Sequence, residues 1–96
     1  MKVVYHPAVQ REVSGIVRHY DRVSGELGDA FWDELMAAVE SILKHPDRYR
    51  MVVGPLRRKN LARFPYHVLY RVMPDRIRIT VIRHHRRNPA FGLDRR

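Results

Sequence analysis

Five consecutive residues, Arg83 to Arg87, are arginine or histidine, and Asn88-Pro89 follows them. Arginine presents a planar fork of donors to phosphate or carboxylate. Histidine can both give and take a proton near neutrality. A further histidine, His67, stands upstream in a segment of alternating polarity. Cleaving RNA through its own 2′-hydroxyl needs a proton acceptor, a proton donor and positive charge over the phosphate. His67, His84 or His85, with Arg63, Arg83 or Arg87, would supply all three. Adjacent side chains on a strand point to opposite faces, so at most one of His84 and His85 can share a site with His67.

Other chemistry is excluded by what the chain lacks. It has no cysteine, hence no disulfide framework, thiolate metal site or cysteine nucleophile. Residues 48–96 contain only Asp75 and Asp94 as acids, too few to complete a metal site around the histidines, so none is expected. No P-loop, GxGxxG, GxSxG or HExxH motif occurs, and no cofactor is expected. No apolar run approaches the roughly 20 residues that span a bilayer. The opening residues lack the apolar core of a secretion signal, so a cytoplasmic location is expected.

The formal net charge is +9, unevenly spread. Residues 1–47 hold five Lys/Arg against eight acids, a net of −3, whereas residues 48–96 hold fourteen against two, a net of +12. Self-repulsion on that scale costs stability unless the field has a use. Nucleic acid or an acidic protein segment would use it. A merely soluble, arginine-rich surface is the plainer alternative.

The elements that must position these groups follow from periodicity, and we expect one domain spanning 1–96. Lys2 to Tyr5 is a short β-prone run that stops at His6-Pro7. Val9, Val13, Ile16, Tyr20 and Val23 trace one helical stripe. Gly25 is expected just past that helix, as a left-handed stop. A second helix from about Glu26 carries Leu27, Phe31, Leu35, Ala38 and Ile42, widened by Trp32, Val39 and Leu43, and Pro46 ends it. The two make an αα-hairpin.

The period then falls to 2. A strand is expected within Leu56 to Arg63. Tyr66 to Met73 and Arg76 to Arg83 alternate on either side of Pro74-Asp75, which reads as a two-residue hairpin. With uninterrupted pairing, Tyr66 lies opposite Arg83. One face then carries Tyr66, Val68, Tyr70, Val72, Ile77, Ile79 and Val81 toward the helices. The other, carrying His67, Leu69, Arg71, Arg78, Thr80, Ile82 and His84, faces water. The expected fold is α+β, in the order β-α-α-β-β-β, with an antiparallel meander in two layers.

Several phrases in this order resemble the RelE/ParE family of toxins from type II toxin–antitoxin pairs, over essentially the whole chain. They are His6-Pro7-Ala8, Ser24-Gly25-Glu26-Leu27-Gly28-Asp29-Ala30-Phe31, Ile42-Leu43-Lys44-His45-Pro46, Phe64-Pro65-Tyr66-His67-Val68-Leu69-Tyr70-Arg71-Val72, and Val81 through Pro89. The resemblance implies a helical hairpin on an antiparallel sheet, and an antitoxin partner whose acidic or amphipathic tail wraps the toxin.

That family divides by mechanism. RelE-like members cut mRNA in the ribosome with basic sheet residues and an aromatic or histidine near the C-terminus, whereas ParE-like members are reported to poison DNA gyrase. Here His67 stands where the sheet often has arginine, Arg87 matches the later arginine, and the tail offers Phe91 but no tyrosine. These departures favour the ParE-like branch and a plasmid-stabilisation type of toxin. On the RelE-like alternative the catalytic groups would be His67, His84 and Arg87. On either, Arg63, Arg71, Arg78, Arg83, His85 and Arg86 are the expected antitoxin- or target-binding residues. A basic nucleic-acid-binding module without toxicity is the third possibility.

Overall fold

The computed structural model describes all 96 residues. Strand β1 (Lys2–Tyr5) runs directly into helix α1 (Pro7–Val23). His6 caps that start, its Nδ1 accepting the Ala8 N–H at 3.1 Å. Pro7 sits in the first turn, where its missing N–H would have no partner anyway.

Ser24 alone separates α1 from α2 (Gly25–Lys44). Its N–H donates to the Tyr20 carbonyl at 2.9 Å, and its hydroxyl accepts the Glu26 N–H at 3.2 Å. The expected left-handed stop at Gly25 is therefore not used. An extended serine (φ −168°) ends one helix and caps the next, and Gly25 is already helical.

The remaining chain forms β2 (Met51–Val53), β3 (Leu56–Asn60), β4 (Tyr66–Val72) and β5 (Arg76–His84). One five-stranded sheet results, ordered β1-β5-β4-β3-β2, with β1 parallel to β5 and the other pairs antiparallel. The short edge strand β2 was not expected. It turns into β3 through Gly54, whose φ of +51° a side chain would resist.

Both helices pack on one face of the sheet. Val9, Val13 and Ile16 of α1 and Phe31, Leu35, Ala38 and Ile42 of α2 join Val68, Tyr70, Ile77, Ile79 and Ile82 in one core. Burial lifts the Tyr70 phenol to about 12, and its hydroxyl donates to the Pro46 carbonyl at 2.7 Å. Trp32, expected to widen the α2 stripe, is instead 47% exposed.

The hairpin register departs from expectation at one residue. Val72–Ile77, Arg71–Arg78 and Tyr70–Ile79 pair as anticipated, after which the ladder resumes as Leu69–Val81, Val68–Ile82, His67–Arg83 and Tyr66–His84. Thr80 is the extra residue of a β-bulge, its hydroxyl donating to the Leu69 carbonyl at 3.3 Å. A one-residue slip exchanges the faces. Val81, expected toward the helices, turns to the outer face, and Arg83 comes to lie there beside His67. Ile82 enters the core instead of facing water, and His84 goes to the helix side, with its ring edge-on to Tyr66 at 5.1 Å.

The bulge lies where the neighbour of β5 changes. Pairing with β1 ends at Tyr5–Ile79, and the His6 N–H closes on the Ile79 carbonyl at 2.8 Å. Beyond it the Ile82 N–H donates to Glu12 of α1 at 3.3 Å.

Candidate functional site: a basic sheet face crossed by the C-terminal segment

The outer sheet face is not open from end to end, as alternation alone implies. Residues beyond β5 fold back across it and bury Leu69, Thr80 and Val81. Gly92 makes the approach possible. Its φ is +80°, and a Cβ there would stand 2.3 Å from a Val81 methyl. Arg95 donates to the Thr80 carbonyl at 3.0 Å and pairs with Glu12 at 2.7 Å, both side chains largely hidden (14% and 15% exposed). Arg78 donates to the main-chain oxygen of Arg96. The guanidinium carbons of Arg87 and Arg95 lie 4.0 and 5.0 Å from the centre of the Phe91 ring.

This strap divides the basic face into two clusters. The first is built on His67, which the 7-residue strand β4 holds at 1% exposure. The Arg83 Nε–H donates to His67 Nε2 at 2.9 Å, so the His67 proton resides on Nδ1. That proton faces His85 Nδ1 at 2.9 Å, which also accepts from Arg58 Nη2 at 3.2 Å, and the two imidazoles lie nearly parallel. All three bonds close only with both histidines neutral. Burial first, then the nearby Arg58 and Arg83 charges, hold His67 down to about 3. Burial and Arg58 lower His85 as well. Arg83 Nη1 donates to the carbonyls of Pro89 and Phe91 at 2.9 and 2.8 Å. One arm of its guanidinium, Nη1, is committed to the strap.

The second cluster is Arg71, Arg76 and Arg78, at the end of the sheet near the β4–β5 turn. Arg71 and Arg78 are direct cross-strand partners. They line a cleft of about 730 Å³ together with Arg96 and with Leu56, Met73 and Leu93.

The candidate residues are thus scattered. Within the nuclease set, His67 is sealed on the outer face and His84 lies on the other, its Nδ1 accepting the Arg86 N–H at 3.0 Å. Arg87 rests against Phe91. Among the binding residues, Arg63, Arg71, His85 and Arg86 are exposed, Arg78 is half-buried, and Arg83 is turned inward to the strap. Sequence reasoning missed Glu12, Arg58, Gly92 and Arg95 as partners of this face. The available signal was Phe91 and Leu93, two apolar side chains in an otherwise polar tail, which need a surface to rest on.

No helix is long and apolar enough to cross a membrane, and no group of three or more His, Asp or Glu side chains is placed to hold a metal ion.

A family profile described as "ParE toxin of type II toxin-antitoxin system, parDE" matches residues 3–89. Among solved structures, a chain of the "Chromosomal ParDE TA system from P. aeruginosa" superposes with a TM-score of 0.77 at 19% sequence identity. The match covers 88% of this chain and 95% of that one. No curated protein matches.

Proposed function

Because this chain belongs to the ParE toxin family of type II toxin–antitoxin systems, we propose that it arrests growth by binding its target rather than by cutting RNA, and that the target is DNA gyrase. The observation that carries this reading is the state of His67. It is 1% exposed, both ring nitrogens are engaged, and its partner Arg83 is spent on main-chain carbonyls. General acid–base work requires a group within reach of the substrate and able to change protonation near the working pH. A histidine held near 3 beneath a strap does neither. His84 lies across the sheet from it and cannot complete a pair.

The accompanying partner is a cognate antitoxin with an acidic segment. Arg63, Arg71, Arg78, Arg86 and His85 are the accessible groups on or beside the basic face, and they would draw that segment in by charge complementarity.

The test is a split assay on the purified chain. Inhibition of gyrase supercoiling, with ribosome-bound mRNA left intact, is the expected result. Cleavage of mRNA on ribosomes that is abolished by His84→Ala would overturn the reading and restore the nuclease.

A further inference from the structure

Like charges placed directly opposite one another on neighbouring strands destabilise a sheet. Arg71 and Arg78 are such a pair, and Arg76 projects from the same face two residues along β5. Neither Arg71 nor Arg78 has an aspartate or glutamate within ion-pair distance, and Arg76 has only the exposed Asp75, at 3.5 Å. The cleft they line admits one further acid, Asp94, and two further guanidiniums, Arg95 and Arg96, of which Arg95 is paired with Glu12. With the Glu12–Arg95 pair set aside, two acids, Asp75 and Asp94, are left beside four arginines.

Within the Arg78 side chain, the Nε–H is buried and has no hydrogen-bond partner. A buried N–H of a charged group without an acceptor is costly, and few survive in folded proteins. Arg78 Nη2 is met by the Arg96 main-chain oxygen, so one donor of the fork has an oxygen acceptor and the adjacent one does not.

From these observations we propose that the cleft between the β2–β3 turn, β4–β5 and the C-terminal segment is a binding site for phosphate groups. Several guanidiniums lining one cleft suit an oxyanion with multiple charges and multiple acceptor oxygens. A single carboxylate would neutralise only one of them. The lining has no aromatic side chain on which a base could stack, so recognition is of the phosphates and independent of base identity. The site is separated by the strap from the His67 cluster and does not depend on the toxin reading. An acidic antitoxin segment would compete for Arg71 and Arg78.

The experiment titrates the full chain with inorganic triphosphate at low salt, following arginine Nε–H resonances by NMR. A parallel titration uses a short DNA duplex. Triphosphate is expected to shift the Arg71 and Arg78 signals, with affinity falling as salt rises. Arg78→Lys keeps the charge but removes the planar fork of donors, and should weaken binding about tenfold. Arg71→Ala should weaken it comparably, while Arg18→Ala on α1 leaves it unchanged. Unchanged circular dichroism in each variant separates lost binding from lost folding. The duplex binding more tightly, with the same residues shifted, identifies a nucleic-acid backbone as the source. Triphosphate binding more tightly identifies a free polyphosphate or nucleotide. Shifts confined to Arg63 and Arg86, affinity indifferent to Arg78→Lys, or a glutamate-rich peptide of equal charge binding more tightly than either probe would each overturn the proposal. Gyrase inhibition measured on the same variants reports on the toxin reading separately.

Discussion

His67 Nε2 accepts the Nε–H of Arg83 at 2.9 Å, and that bond aims the far end of the guanidinium at the carbonyls of Pro89 and Phe91. A buried neutral imidazole thereby fixes the course of a segment more than twenty residues further along the chain. The same bond engages the two side chains with each other beneath the returning segment.

His67→Ala should therefore act on stability and on the strap together. It removes a fully buried ring, releases the Arg83 Nε–H and leaves His85 with Arg58 as its one remaining donor. A loss of about 2–4 kcal/mol is expected from urea unfolding. Amide exchange near Phe91 and Gly92 should accelerate more than exchange in α2. Equal acceleration in both places would show that His67 merely fills space.

Acidification should loosen the same cluster. His67 is held near 3 in the fold against 6.5 when free, so between those values the unfolded chain binds a proton that the native one refuses. Stability from this group is complete above about 6.5 and drains away as pH falls toward 3. The slope approaches 1.4 kcal/mol per pH unit for one proton, at most. His85 is lowered too and adds in the same direction. Thermal melts from pH 7.5 to 4.5 test this, and His67→Gln should flatten the dependence.

Gly92→Ala is expected to cost roughly 2 kcal/mol or more, because a positive φ and a methyl contact with Val81 oppose it at once. Gly28→Ala provides the contrast. There the new Cβ meets the end of the exposed Asp21 side chain, at 1.8 Å from Oδ1, which can swing aside, and comes within 3.3 Å of the Val17 carbonyl, a tight but smaller obstacle. Alanine also favours the helix by up to about 1 kcal/mol, so the net change should be small. Comparable losses at the two glycines would contradict the tight approach assigned to Gly92.

The Glu12–Arg95 pair ties the strap to α1 at a site both side chains share with little water. Glu12→Gln and Arg95→Met should each destabilise by about 1–3 kcal/mol, since each strands the other charge. The double variant should lose less than the sum, giving a coupling above about 0.5 kcal/mol. Additive losses in chemical denaturation would mean the two side chains act separately.

Reversing exposed charges should affect encounter with an antitoxin. Arg63→Glu with Arg71→Glu is expected to slow association with an acidic cognate antitoxin at low salt, and the effect should shrink as salt rises. Stopped-flow association at two ionic strengths decides it, and an unchanged rate at low salt would remove these residues from the partner surface.

The sequence by itself determined the two helices, the hairpin turn at Pro74-Asp75 and the helix-facing set Val68, Tyr70, Ile77 and Ile79, because local periodicity is set by which side chains must leave water. It also determined the basic character of the second half, since charge is counted without a fold. Only the tertiary structure decided which face Val81, Ile82, Arg83 and His84 occupy. The bulge at Thr80 depends on where β1 ends and Glu12 of α1 takes over the edge, a contact 70 residues long in sequence. Tertiary structure likewise decided that His67 is sealed and Arg83 is occupied. Burial by a returning segment is a long-range event, and neither the type nor the spacing of the two residues encodes it.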